Sequence, residues 1–409
     1  MINTYKICDI IDSYISGDWG NDCTTDDTPH PVHCVRGADI VPISNSQFND
    51  IPLRYVSKRS FQTRCLQEGD IIIEKSGGSP TQSTGRVVYV SKELLSAKKN
   101  IVCSNFCTAF RVKEGWNAHY VFLYLQNVYN SGVFFNFEGK TSGLKNLMMD
   151  AAFKSIPIKK IPIAKQTDLA DSISAIDKKL SLNRQINDNL EAMAKQVYDY
   201  WFVQFDFPNE DGKPYKSSGG VMVWNEKLKR EIPKGWNTVV IGDILDKYPA
   251  TKRYETKEYL PQGKYPIIDQ GDSYIVGFTN ERENLLVRHP AVLFGDHSTK
   301  VKFLDYDFAR GADGTQILYS SIPEVSQYYL YLALKSMSIP NPGYSRHFKY
   351  LKEMPVITPS IDVAIAFSEI VTPLYKQWTN NVFGNIELTK QRDELLPLLM
   401  NGQATVNSD

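Results

Sequence analysis

From Leu169 to Val197 the apolar residues Leu169, Ile173, Ile176, Leu180, Ile186, Leu190, Met193 and Val197 recur mostly three or four apart, with Asp, Lys, Asn, Gln and Ser between them. That spacing puts one apolar stripe on a long helix. Some 35 residues at 1.5 Å each make a rod of about 50 Å. A rod of that length cannot cover its stripe on a small domain and calls for a partner helix.

The partner is in the chain. Phe153-Lys154-Ser155-Ile156-Pro157-Ile158 is echoed 198 residues later by Leu351-Lys352-Glu353-Met354-Pro355-Val356. At the same offset Ile176 meets Leu374, Leu180 meets Trp378, Asn183 meets Asn381, Asn187 meets Asn385, Leu190 meets Leu388 and Val197 meets Leu395. An internal repeat of this kind organises the whole fold. Pro373 stands where the first copy has Ala175, which predicts a kink or a late start in the second helix.

Fainter echoes precede each helix. Tyr5 to Ile11 parallels Val239 to Leu245, and Ala118 to Leu125 parallels Ser326 to Leu334. Between them lie short runs of Val, Ile, Tyr and Phe punctuated by Gly, Pro, Asn and Asp, the pattern of short strands and turns. The expected organisation is a mixed domain over 1–155, a long helix over 156–205, a polar surface linker over 206–231, a second mixed domain over 232–357, and a second long helix with its tail over 358–409. The fold class is α+β. Two mixed α/β domains are separated by two long antiparallel helices, a coiled-coil scaffold with an internal pseudo-twofold repeat. The seam residues are expected at Ile176, Leu180, Leu190, Leu374, Trp378 and Leu388.

Composition adds little to this picture. Lys plus Arg balance Asp plus Glu at 46 each, so the chain is not coated in positive charge for nonspecific nucleic-acid binding, although a local basic face remains open. No apolar run is long enough to cross a membrane. The start, MINTYKICDIIDSY, lacks the pattern of a secretion signal. All six cysteines lie within the first 107 residues without a Cys-x-x-Cys, and the expected setting is a reduced cytoplasm. Cys23, His30, His33, Cys34, Cys103 and Cys107 match no common zinc framework, so no metal is expected.

Catalytic templates fail. Gly139-Lys140-Thr141 has the tail of a phosphate-binding loop, but Phe134 occupies the first glycine position. No Gly-x-Gly-x-x-Gly, His-Glu-x-x-His or Gly-x-Ser-x-Gly occurs in a fitting place. Asn341-Pro342-Gly343-Tyr344 only mimics the tetrad of adenine methyltransferases, and Asp70, Glu74 and Lys75 only approximate nuclease spacing.

The polar loops are more informative. Asp70-Ile71-Ile72-Ile73 feeds into EKSGGSPTQSTGR, residues 74–86. Gln and Arg read purine edges bidentately, and Ser, Thr and backbone N–H groups bind phosphate. The candidate DNA-contact residues of the first half are Ser76, Gly77, Gly78, Ser79, Gln82, Thr84, Arg86, Asn105, Lys145 and Asn146. Those of the second half are His297, Ser298, Lys300, Asp313, Thr315, Tyr344, Arg346 and His347. Taken alone, these loops are better read as solvated turns of no special purpose.

In order and spacing, several segments carry a resemblance. They are Ile186-Asn187-Asp188-Asn189-Leu190-Glu191-Ala192-Met193-Ala194, Tyr200-Trp201-Phe202-Val203-Gln204-Phe205-Asp206, Trp224-Asn225-Glu226, Glu231-Ile232-Pro233-Lys234-Gly235-Trp236 and Gln391-Arg392-Asp393-Glu394-Leu395-Leu396-Pro397. Glu74 to Gln82, Ser104 to Cys107 and Gly143 to Leu147 belong with them. Over nearly its whole length the chain resembles the specificity (S) subunits of type I restriction–modification systems. The tail Leu398-Leu399-Met400-Asn401-Gly402 departs slightly from the family's usual Leu-Leu-small-Gly.

The resemblance implies that the mixed domains are target-recognition domains, each gripping one half of a split, asymmetric site in double-stranded DNA. The helices would set the gap between half-sites and dock two methyltransferase (M) subunits, with restriction (R) subunits joining them. No cofactor is expected on this chain. S-adenosylmethionine, ATP and magnesium are expected on the partners, which would flip and methylate adenine. Two other readings stay open from the residues: a stand-alone nuclease or methyltransferase with an unfamiliar site, and an assembly scaffold without DNA binding.

Overall fold

A computed structural model of the chain describes residues 3–77, 82–141, 144–246, 248, 251–312, 314–339 and 346–404. Two compact units divide it, Met1–Leu182 with Asn385–Asp409, and Asn183–Gly384. The division cuts through both long helices, Ile163–Tyr198 and Ile361–Asn401. The first starts later than position 156 because Pro157–Lys160 is a strand. The second runs through Pro373 from Ile361, so no late start occurs there.

In unit 1, Leu169, Ala170 and Ile173 share a core with Leu396, Leu399 and Met400, and Arg392 Nη1 donates to Asp177 Oδ1 at 3.1 Å. In unit 2, Asn381 Nδ2 donates to Asn187 Oδ1 at 2.8 Å, and Tyr198 packs on Phe367. Residue numbers fall on one helix as they rise on the other, so the segments run antiparallel in each unit. Of the expected seam residues, Leu180 is buried. Ile176, Leu190, Leu374, Trp378 and Leu388 are half-buried.

The repeat is a repeat of topology. In unit 1, Asn3–Lys6 pairs antiparallel with Pro157–Lys160, Tyr5 opposite Ile158. In unit 2, Asn237–Val240 pairs with Pro355–Thr358, Val239 opposite Val356. A 3₁₀ turn follows each first strand, at Ile7–Ile10 and Ile241–Ile244. Helix Ala118–Asn130 is capped by Asn117, whose side chain accepts from the Tyr120 N–H. Its counterpart Gln327–Ser336 is capped the same way by Ser326. Met149–Ser155 and Phe348–Glu353 are the short helices that precede the closing strands.

Each unit is built around a strand buried on both faces. Unit 1 has an antiparallel sheet in the order Ile11–Ser16, Cys107–Val112, Ile71–Glu74, Val87–Tyr89. Ile71, Ile73, Val87 and Phe110 point into one core and Ile72, Val88 and Ala109 into another. A second, mixed sheet joins Leu53–Val56, His30–Val35 and Ile101–Cys103. In unit 2, Val292, Phe294 and Phe303 face one core, while Ala291, Leu293 and Leu304 face another. Two-sided burial is why both strands read as unbroken apolar runs.

Residues 206–231, expected as a surface linker, carry regular structure. Met222–Asn225 and Arg230–Pro233 form a hairpin. Phe207 stacks between Tyr215 and Trp236, at 4.7 and 4.8 Å. A single π-helical turn, Asp199–Val203, ends the first long helix and turns Trp201 and Phe202 inward. Phe202 then meets Trp236, Tyr329 and Phe367. The Tyr-Trp-Phe and Pro-Lys-Gly-Trp motifs are therefore two sides of one aromatic core. Among the described residues no helix is long and apolar enough to cross a membrane.

Candidate nucleic-acid interface

In unit 1 the strand Ile71–Glu74 delivers the glycine-rich loop to one end of the sheet. Ser76 and Gly77 form the edge of a small antiparallel sheet with Leu144–Leu147 and Glu138–Thr141. Asn146 lies opposite Ser76 and Lys145 opposite Gly77. Ser76 Oγ donates to Asn146 Oδ1 at 2.5 Å, and Lys145 Nζ reaches the Gln82 carbonyl at 3.3 Å. The turn at Asn105 joins them, because the Phe106 carbonyl accepts the N–H groups of Lys75 and Ser76 at 2.8 and 3.1 Å. Segments some seventy residues apart thus form one surface, with Gln82 and Asn105 exposed and Ser76, Gly77, Lys145 and Asn146 half-exposed.

Thr84 and Arg86 are built into the protein beneath that surface. The Arg86 guanidinium forks onto the buried Glu74 carboxylate, Nε to Oε2 at 2.9 Å and Nη2 to Oε1 at 2.6 Å. The bond to Glu74 raises the Arg86 pKa above its ordinary value. Thr84 is fully buried, and its N–H and hydroxyl both donate to Glu138 Oε1. Glu138 also pairs with Lys145 at 3.0 Å.

Burial pushes the Glu138 carboxyl up, but the Thr84 N–H and the Lys145 ammonium outweigh it and leave the pKa below 4.5. A depressed carboxylate contributes stability above its unfolded pKa and loses it as pH falls through the folded one. The stability gap between the wild type and Glu138→Gln should therefore be widest above about pH 4.5 and shrink below it. Urea unfolding of the two proteins across pH 3 to 7 checks this, and a pH-independent gap would count against it.

In unit 2 three loops chosen from the sequence converge. Asp296 is buried, and its N–H donates to the Gly314 carbonyl at 2.7 Å. Its carbonyl accepts the His347 N–H at 2.9 Å, and its Oδ1 accepts the Phe348 N–H at 2.8 Å. Asp269 to Asp272, which sequence reasoning missed, is the fourth loop. Gln270 Oε1 accepts the His297 N–H at 3.0 Å, and the Gln270 carbonyl accepts Ser298 Oγ at 2.6 Å. Gly314, at φ +83°, lies so close to Gln270 Nε2 that a Cβ there would sit 2.6 Å from it. The available signal was another apolar run, Pro266-Ile267-Ile268, ending in Asp-Gln-Gly-Asp. Lys302, buried beneath this loop, donates to the carbonyls of Asp269 and Ser273 at 2.8 and 2.6 Å. Burial pushes its pKa down to about 8.

His297, Lys300 and Arg346 are exposed and Ser298 is half-exposed. Lys300 pairs loosely with Asp272 at 2.9 Å across solvent-exposed side chains. Thr315 and His347 are buried, so their side chains shape the loops and are not presented at the surface. Gly78, Ser79, Asp313 and Tyr344 lie outside the described residues, as does the Asn341–Tyr344 tetrad.

The enzyme-like readings meet the same geometry. Asp70 is closed by an Arg111 fork at 2.8 and 2.9 Å, as Glu74 is by Arg86. Gly139-Lys140-Thr141 lies on a strand, not at a helix N-terminus. His33 Nδ1 contacts the Lys99 carbonyl at 2.9 Å. Burial pushes the Cys34 thiol up to about 12 and the Cys107 thiol up to about 11, the behaviour of packing groups.

The model of the type I restriction modification DNA specificity domain matches residues 43–192 and 233–388. The type I restriction enzyme MjaIX specificity subunit of Methanocaldococcus jannaschii is 22% identical over 408 residues, covering 90% of this chain and 88% of that protein. The HindI specificity subunit of Haemophilus influenzae is 23% identical over 427 residues, covering 83% and 87%. The crystal structure of a type I restriction–modification S subunit from M. genitalium shares the fold. Its TM-score is 0.56 at 15% identity, with all of this chain and 97% of that one covered.

Proposed function

Because this chain belongs to the type I restriction–modification specificity family, we propose that it reads a split, asymmetric DNA target, one half-site per unit, and brings methyltransferase and restriction subunits to that target. The observation that carries this reading is the pair of loop clusters. In each unit, distant polar segments are gathered at the end of a doubly buried strand. The contacts fall to Ser76, Gly77, Gln82, Asn105, Lys145 and Asn146 in one unit and to His297, Ser298, Lys300 and Arg346 in the other. Gly78, Ser79, Asp313 and Tyr344 belong to the same loops by sequence. Because the unit sequences differ, the half-sites differ.

The chain acts without an active site of its own. S-adenosylmethionine, ATP and magnesium belong to the two M subunits and the R subunits, which assemble on the helices in the cytoplasm. A genome-wide methyladenine map tests this, comparing cells that carry the chain and its methyltransferase with cells lacking only this chain. A split motif lost on deletion is expected. An unchanged map, or cleavage or methyl transfer by the purified chain alone, would overturn the reading.

Lys300→Ala and Arg346→Ala should each weaken DNA binding by the assembled complex on all sequences and reduce the salt slope of log K by about one. Filter binding from 50 to 200 mM salt measures it. An unchanged slope would remove these two cations from the phosphate contacts.

A further inference from the structure

Phe106 is 55% exposed. It lies in the turn between Ile101–Cys103 and Cys107–Val112. Its backbone is pinned. The carbonyl accepts two N–H groups from Lys75 and Ser76, and the Cys107 N–H donates to the Ser104 carbonyl at 2.9 Å. Its ring belongs to neither hydrophobic core that flanks this sheet. Single exposed apolar residues are ordinary. This one is held by its backbone beside Asn105 and Ser76, in a surface that also presents hydrogen-bonding groups and the exposed ring of Phe135, 5.0 Å from Lys145 Nζ. A half-exposed ring outside both cores, on a backbone held in place, loses little freedom when a ligand covers it.

We propose that Phe106 is a specificity-determining residue, whose ring makes an apolar contact with a base of the half-site read by unit 1. The proposal rests on the half-site reading above. A phenyl ring can cover a thymine methyl in the major groove or press against an exposed base face at a deformed step. Either contact discriminates between bases without adding charge. The ring then supplies selectivity while Lys145 and the backbone N–H groups supply orientation.

The test uses Phe106→Ala and Phe106→Leu in the full chain assembled with its methyltransferase. Because the ring is exposed, both variants should fold. Competition binding on the cognate and on a scrambled duplex, together with the methyladenine map, gives the readout. For Phe106→Ala the cognate affinity should fall by about tenfold or more, with scrambled-duplex affinity and salt slope unchanged. The map should become degenerate at a position in one half-site only, and Phe106→Leu should fall between. Deoxyuridine for thymine at that position then distinguishes the two contacts: weakened wild-type binding marks the methyl group, and unchanged binding marks the base face. An unchanged map, or equal losses on both duplexes, would overturn the role of Phe106 while a split wild-type motif left the half-site reading standing. No split motif in the wild type would overturn both.

Discussion

Glu74→Ala is expected to erase recognition of one half-site, to leave the other intact, and to cost unit 1 roughly 3 kcal/mol or more. Glu74 is 2% exposed, and the Arg86 side chain that it holds is 16% exposed. Removing the carboxylate strands a guanidinium with little access to water. Breaking a buried pair from one side costs more than the pair contributes, because the remaining charge has no counter-ion. The carboxylate also sits against two glycines. A Cβ at Gly37 or Gly77 would come within 2.6 or 2.7 Å of Oε1. Gly77 is the residue that pairs with Lys145. The pair is thus the floor under the loop proposed to face DNA, and its loss should shift Ser76, Asn105 and Lys145 together.

Arg86→Ala should cost a similar amount, since it strands the carboxylate instead. The double variant should cost less than the two single losses added. Thermal unfolding and the methyladenine map together check this. A lowered melting temperature with both half-sites still methylated would reduce the pair to a structural role. Arg86, expected from sequence to read bases, forks onto the buried Glu74, and on the proposed reading it positions the contacting loop residues.

Leu180→Asp is expected to abolish co-purification with the methyltransferase. Leu180 is 1% exposed on the first long helix. The change removes a buried leucine, worth about 2 kcal/mol, and adds a carboxylate that cannot reach water without distorting the helix. A total of about 4 kcal/mol or more is the expected loss, within the range of the most damaging core substitutions. Leu180→Met, which keeps volume and polarity, should cost less than about 1.5 kcal/mol and retain assembly. Affinity pull-down with circular dichroism separates local from global failure. Normal co-purification of the aspartate variant would exclude Leu180 from any assembly role.

How much of this could be read from the residues depended on range. The two long helices and their duplication were legible because a helical stripe is a local, periodic signal. The echoed segments fold into matching ladders, Tyr5 opposite Ile158 and Val239 opposite Val356, a pairing that only the structure shows. The loops following Ile71-Ile72-Ile73 and Ala291 to Phe294 were legible as ends of buried strands. The folded character of 206–231 was not. Its polar surface hides the fact that Phe207 stacks on both Tyr215 and Trp236.

What the sequence by itself determined is therefore the duplicated helix-and-domain plan and the polar, glycine-rich character of the loops, because both follow from near-neighbour patterns. Which loop residues face outward was decided only by the tertiary structure. Ser76 meets Asn146 and Arg86 meets Glu74 through strand pairings and burial that bring remote segments together. Thr84 and His347 went inward for the same reason, onto Glu138 and the Asp296 carbonyl. A buried polar group must find a partner, and which partner is near is a property of the folded chain.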